Sequence, residues 1–171
     1  MNFNEETFKT EVDRLYNKEI EIIGRFKNLE SPILVKDRYG IMKISKAKLL
    51  LKYKPTIKTA LNKTEYYMAQ LQEAQPELAK QLKPASEYEA LQKKMLFDTK
   101  YGIVSVTPEN LLNGHVPTVR CAINRKEYIY NQLKYIYSDY DYDFEITSTD
   151  RHAGRISLIC KKHGVQHIDS D

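Results

Sequence analysis

No apolar run in this chain approaches the roughly 20 residues that cross a membrane as a helix, and no signal-peptide pattern opens it. The sequence therefore predicts a soluble protein of the cytoplasm. Its two cysteines, Cys121 and Cys160, cannot build the disulfide framework of a small secreted domain. Catalytic signatures are missing as well: there is no Walker A loop, no HEXXH and no GxSxG. The net charge of +4 over 171 residues is modest, so its distribution says more than its sum.

What the chain does have is a repeat. Leu34 to Leu71 aligns without a gap on Leu96 to Leu133. Identical or closely alike pairs include Tyr39/Tyr101, Gly40/Gly102, Ile41/Ile103, Ser45/Thr107, Leu49/Leu111, Leu50/Leu112, Pro55/Pro117, Thr56/Thr118, Ala60/Ala122, Leu61/Ile123, Asn62/Asn124, Glu65/Glu127 and Tyr66/Tyr128. Repetition at a fixed period signals copies of one structural unit. A third copy begins around Gly164, one further period after Gly40 and Gly102, and the chain stops at Asp171 before that copy's helical part. The expectation is a fragment of a longer protein, with a first unit over 1–62, a second over 63–124 and a partial third over 125–171.

Each unit reads as α+β. Asn4 opens a helix over 5–17, and Ile20 to Phe26 alternates as a strand. Ile33 to Val35 and Ile41 to Ile44 flank a turn at Asp37 to Gly40, a hairpin signal. Ser45, like Thr107 before Pro108, stands where a helix cap belongs. The helix it opens stops before Pro55 or Pro117, and TIKTAL or TVRCAI supplies a second short helix. Asn62 or Asn124 then caps a longer helix that links to the next unit. The predicted architecture is tandem small units, each a β-hairpin or three-stranded sheet with a helix-turn-helix-like helical pair, joined by a linking helix.

A helix, tight turn and second helix carrying cations suit nucleic-acid readout, in which exposed side chains meet a groove and flanking lysines meet phosphates. Candidate DNA-binding residues are Lys46, Lys48, Thr56, Lys58, Thr59, Asn62 and Lys63 in the first copy, and Thr118, Arg120, Asn124 and Arg125 in the second. Asn62 and Asn124 fit either a base contact or a helix cap. The lysine-dense stretch is either a phosphate-binding footprint or a solvated surface. Most tyrosines recur at core-like spacing, with Tyr39 and Tyr101 the pair expected nearest the surface. Cys160 and His163 have the spacing of half a zinc site, and His167 is a weaker third candidate. The acidic cluster Asp139, Asp141, Asp143 and Glu145 lacks a histidine or basic partner, so it reads as a polar edge before it reads as a nuclease metal site.

The stretch from Asn124 to Gly164 carries Asn124, Arg125, Glu127 and Tyr128, then Tyr140-Asp141-Tyr142, then Cys160, His163 and Gly164. It resembles the DNA-binding, zinc-finger-like modules attached to phage and bacterial homing endonucleases and related phage nucleases. The resemblance implies a sequence-targeting DNA-binding region, non-catalytic in this chain, with a nuclease domain elsewhere in the parent protein. It implies no cofactor for these residues, and zinc only where the third unit is completed beyond residue 171. Double-stranded DNA is the favoured partner, with RNA the alternative ligand. The rival function is a phage-encoded protein-interaction module or inhibitor acting on a host nucleic-acid enzyme.

Overall fold

The computed structural model describes residues 4–137 and the backbone of three later strands, 144–149, 155–160 and 164–169. The chain is α+β and forms two compact units, residues 1–74 and 75–171.

The first unit opens with helix α1, Glu5–Leu15, capped reciprocally by Asn4 and Thr7. This is a capping box in which each side chain satisfies the other's backbone N–H. Phe8 and Val12, one helical turn apart, are fully buried, and the Phe8 ring stacks on Phe26 with centroids 4.4 Å apart. Strands β1, Glu21–Ile22, β2, Ile33–Asp37, and β3, Gly40–Ile44, make an antiparallel sheet in that order. The β1 strand is shorter than the predicted run over 20–26. The N–H groups of Ile23 and Gly24 both reach the Leu34 carbonyl, at 3.1 Å each, so the ladder ends there in an irregularity. A Cβ on Gly24 would lie 3.0 Å from the Leu34 nitrogen, so a side chain there would have to push the backbone aside by a few tenths of an ångström. Alternate residues Ile33, Val35, Met42 and Ile44 point into the core with Leu50, Ala60 and Tyr66.

The second unit repeats this plan. Short helix α3, Pro76–Ala79, precedes strands β4, Lys83–Pro84, β5, Met95–Thr99, and β6, Gly102–Val106, again antiparallel and in order. Every register pair of β1, β2 and β3 recurs one period later, from Glu21↔Lys36 and Lys83↔Asp98 to Asp37↔Gly40 and Thr99↔Gly102. The hairpin turns are closed by different side chains in the same role. The Asp37 carboxylate accepts from the N–H groups of Tyr39 and Gly40 at 2.8 and 3.1 Å, and the Thr99 hydroxyl accepts from the Tyr101 N–H at 3.2 Å. A last antiparallel sheet, β7, Phe144–Thr149, β8, Arg155–Cys160, and β9, Gly164–Asp169, follows within residues 75–171.

After each hairpin the structure departs from a helix-turn-helix pair. The first helix is a 3-10 turn, Ala47–Leu51, in the first unit and helix α4, Pro108–Leu112, in the second. The second helix is only a short 3-10 turn, Ile57–Thr59 or Val119–Cys121. It ends because the next residue turns extended and pairs with the sheet: Ala60 bridges Met42, and Ala122 bridges Val104. Ser45 is not a cap either. The turn starts at Lys46, without a side-chain cap, since the N–H groups of Ala47 and Lys48 bond the carbonyls of Ser31 and Leu29 at 2.9 Å each. Thr107 does cap α4, accepting from the Asn110 N–H at 3.4 Å. Gly114, at φ +83°, terminates it in the left-handed region that glycine enters freely.

The linking helices α2, Lys63–Ala74, and α5, Arg125–Ile136, complete the two units. The Tyr66 ring joins the first core and its hydroxyl donates to Asp37, so α2 belongs with the unit before it. The compact units consequently divide after residue 74 rather than after 62, and residues 125–171 fall within the second. Burial, then the Asp37 hydrogen bond, pushes the Tyr66 phenol well above its ordinary range.

Candidate nucleic-acid interface

The structure separates the predicted contact residues into four groups. Lys46 and Lys48 are committed to Glu30, which takes Lys46 at 3.0 Å and Lys48 at close range. Those bonds hold the Glu30 carboxyl below its usual range, Lys48 contributing most. Asn62 and Asn124 are caps: each accepts the N–H three residues on, from Glu65 and Glu127, at 3.1 Å. Thr56 and Thr118 precede the 3-10 turns. The Thr56 carbonyl accepts the Thr59 hydroxyl at 2.8 Å, and the Thr118 hydroxyl accepts the Arg120 N–H at 3.3 Å. That leaves Lys58 and Lys63 in the first unit and Arg120 and Arg125 in the second. The Arg125 guanidinium donates to the Arg120 carbonyl at 3.3 Å, and none of the four forms an ion pair among the described residues.

These cations border a surface that sequence reasoning treated only as scaffold, the outward face of each sheet. The Ala60 and Ala122 bridges lay a fourth segment beside the hairpin, fixed by the Leu61 N–H on the Ile41 carbonyl at 3.0 Å and the Ile123 N–H on the Ile103 carbonyl at 2.9 Å. Register then sets Glu21, Lys36, Ile41 and Leu61 side by side across the first sheet, and Lys83, Asp98, Ile103 and Ile123 across the second. Lys43 and Ser105 stand in the neighbouring rows, opposite Leu34 and Leu96. The signal was present in the sequence as the period-two alternation of ILVKD and GIMKI, which points Lys36, Ile41 and Lys43 away from the core.

The tyrosines divide by role. Tyr66, Tyr67, Tyr88 and Tyr128 are buried, whereas Tyr53, Tyr130, Tyr135 and Tyr137 are exposed. Tyr39 and Tyr101 lie between these classes, each packed edge-on against the linking-helix tyrosine, with centroids 5.5 Å from Tyr66 and 5.4 Å from Tyr128. A cation covers each: Arg38 lies 4.8 Å over Tyr39 while paired at 3.1 Å with Glu73, and Lys100 lies 4.8 Å over Tyr101 and 4.1 Å over Tyr135. Hydrogen bonding to Tyr101 raises the Lys100 ammonium above its ordinary range. An open groove of about 490 Å³ beside Lys100 is lined by Lys80, Lys83, Asp98 and Thr99.

Among the described residues no three His, Cys, Asp or Glu side chains are placed to hold a metal ion. Cys160 ends β8 and pairs with Gly164 in β9, where His167 pairs with Ser157. His163, the side chains of Glu145, Cys160 and His167, Tyr140-Asp141-Tyr142 and the rest of the acidic cluster lie outside the described residues. Among the described residues no helix is long and apolar enough to cross a membrane.

Comparison of the chain with protein-family models, with curated proteins and with solved structures finds no match.

Proposed function

We propose that this chain is a sequence-targeting DNA-binding region of the kind that phage-type and homing-endonuclease-like proteins carry, acting inside the cell by binding rather than by cleavage. The observation that carries the reading is the cation set around each sheet face. Lys36, Lys43, Lys58 and Lys63 in the first unit, and Lys83, Arg120 and Arg125 in the second, are committed to no carboxylate among the described residues. Lys58 and Lys63 recur as Arg120 and Arg125, and cations at matching positions of a repeated unit suit a polyanion with a repeating backbone. Two weak binders in one chain also multiply affinity through effective concentration. The likeness of the stretch from Asn124 to Gly164 to phage nuclease modules supports the same reading.

The test is fluorescence anisotropy with random-sequence duplex DNA, single-stranded DNA and duplex RNA over about 50 to 300 mM salt. Duplex binding is expected to weaken linearly in log salt, and Lys58→Ala with Arg120→Ala to make the slope shallower by about 1.8, from roughly 0.9 per phosphate contact. Absence of binding to all three at the lowest salt would overturn the reading. The exposed pairs Ile41 with Leu61 and Ile103 with Ile123 favour a second reading in that event, a module that binds a host nucleic-acid enzyme.

Glu30 supplies a variant of opposite sign. Glu30→Gln frees Lys46 and Lys48 for phosphate, so duplex binding should tighten and the salt slope steepen by up to about 1.8. Unchanged binding in a folded Glu30→Gln protein would show that these two lysines point away from the nucleic acid.

A further inference from the structure

The outward sheet faces have one geometry and inverted charge. Ile41 and Leu61 are 41% and 59% exposed, and their counterparts Ile103 and Ile123 are 43% and 62% exposed, so both units leave the same apolar pair in water. The flanking residues in the same row are Glu21 and Lys36 in the first unit but Lys83 and Asp98 in the second. Neither Lys36 nor Asp98 makes an ion pair among the described residues, although an opposite charge stands across the strand from each. A shared backbone with exchanged side chains is what two readers of different sequence require.

The geometry points to these faces as the surfaces that enter the DNA major groove, the first unit selecting guanine and thymine and the second cytosine and thymine. The inference rests on the DNA-binding reading above. The major groove admits a β-ribbon, whose outward side chains meet the base edges. A lysine donates to the guanine O6 and N7 acceptors, an aspartate accepts from the cytosine N4 amino group, and aliphatic side chains contact the thymine methyl. Lys36, Asp98 and the Ile41 and Ile103 pairs are those residue types on one face. The cations around them, Lys43, Lys58 and Lys63 in the first unit and Lys83, Arg120 and Arg125 in the second, are placed for the phosphates that line the groove. In the second unit the groove containing Lys80, Lys83 and Lys100 continues the face beyond Asp98. A protein partner fits less well, because charge is depleted at the centre of protein interfaces. Here a charged residue stands directly opposite the apolar one, Lys36 opposite Ile41 and Asp98 opposite Ile103.

The experiment selects duplexes from a randomised pool with the full chain, then measures anisotropy on the selected duplex and on copies with uracil in place of thymine. Uracil lacks the C5 methyl and changes nothing else in the groove. Binding should fall about four-fold for each contacted methyl, the worth of one buried methyl-sized group. In Ile41→Ser with Ile103→Ser, which removes both aliphatic side chains from exposed strand positions, the cost of uracil should shrink. Lys36→Gln should lose the guanine preference and Asp98→Asn the cytosine preference. Salt-dependent duplex binding without enrichment, or with no uracil effect, would overturn this inference and leave the DNA-binding reading standing. No duplex binding would overturn both. A dimer in sedimentation that the double serine variant dissolves, with DNA binding unchanged, would overturn it too and assign the faces to a second copy of the chain.

Discussion

Phe8→Ala is expected to lower the stability of the first unit by about 3–5 kcal/mol, the usual cost of truncating a fully buried aromatic ring. Phe8 has no solvent exposure and stacks on Phe26, and with Val12 it brings α1 into the cluster of Ile33, Val35, Met42 and Leu50. The same helix end is tied down by the Tyr16 hydroxyl, which donates to the Leu50 carbonyl at 2.5 Å. A unit of this size has little stability to spare, since whole domains rest on only about 5–15 kcal/mol. Amide hydrogen exchange by mass spectrometry is the appropriate measurement because two units need not unfold in one step. Phe8→Ala should release peptides between residues 5 and 74 while those between 75 and 136 stay protected, and Phe97→Ala, also fully buried, should do the reverse. Equal loss across both spans would show a single cooperative body.

Local chemistry was legible in the sequence and long-range pairing was not. The constant offset between the copies carried the strand register of the first sheet over to the second, and the Thr107-Pro108 and Asn124 caps stand where their residue types predict. The helix read over TIKTAL is cut to the 3-10 turn Ile57–Thr59 because Ala60 is claimed by Met42, in a strand on the far side of another 3-10 turn, and no local pattern announces such a bridge. The same limit hid the state of Lys46 and Lys48. Their neutralising partner, Glu30, precedes the β2–β3 hairpin that the two lysines follow. Sequence shows how many lysines there are, whereas only the fold shows which are free. The candidate site moved accordingly, from a recognition helix that shortens to a 3-10 turn to the sheet face that this turn borders.

That distinction between paired and free lysines carries the largest expected effect on binding. Lys36→Gln with Lys43→Gln and Lys46→Gln with Lys48→Gln remove the same charge from the same unit. A purely electrostatic surface would respond alike to both. The first pair has no carboxylate partner among the described residues and lies on the outward face, whereas the second already neutralises Glu30. The Lys43 phosphate contact is worth roughly 0.9 decade of affinity at about 0.1 M salt relative to about 1 M, and the Lys36 contact to a base edge about 1–3 kcal/mol, so Lys36→Gln with Lys43→Gln should weaken duplex binding at least about 40-fold. Lys46→Gln with Lys48→Gln should change it by less than about three-fold, because freeing Glu30 adds one exposed charge whose field is screened within roughly 10 Å at that salt. Glutamine preserves much of the lysine stem, and all four residues are at least partly exposed, so both variants should fold. Anisotropy titrations of the two variants side by side decide the matter. Equal losses would return the interaction to diffuse charge, and a greater loss from the Lys46 and Lys48 pair would move the binding surface to the Glu30 turn.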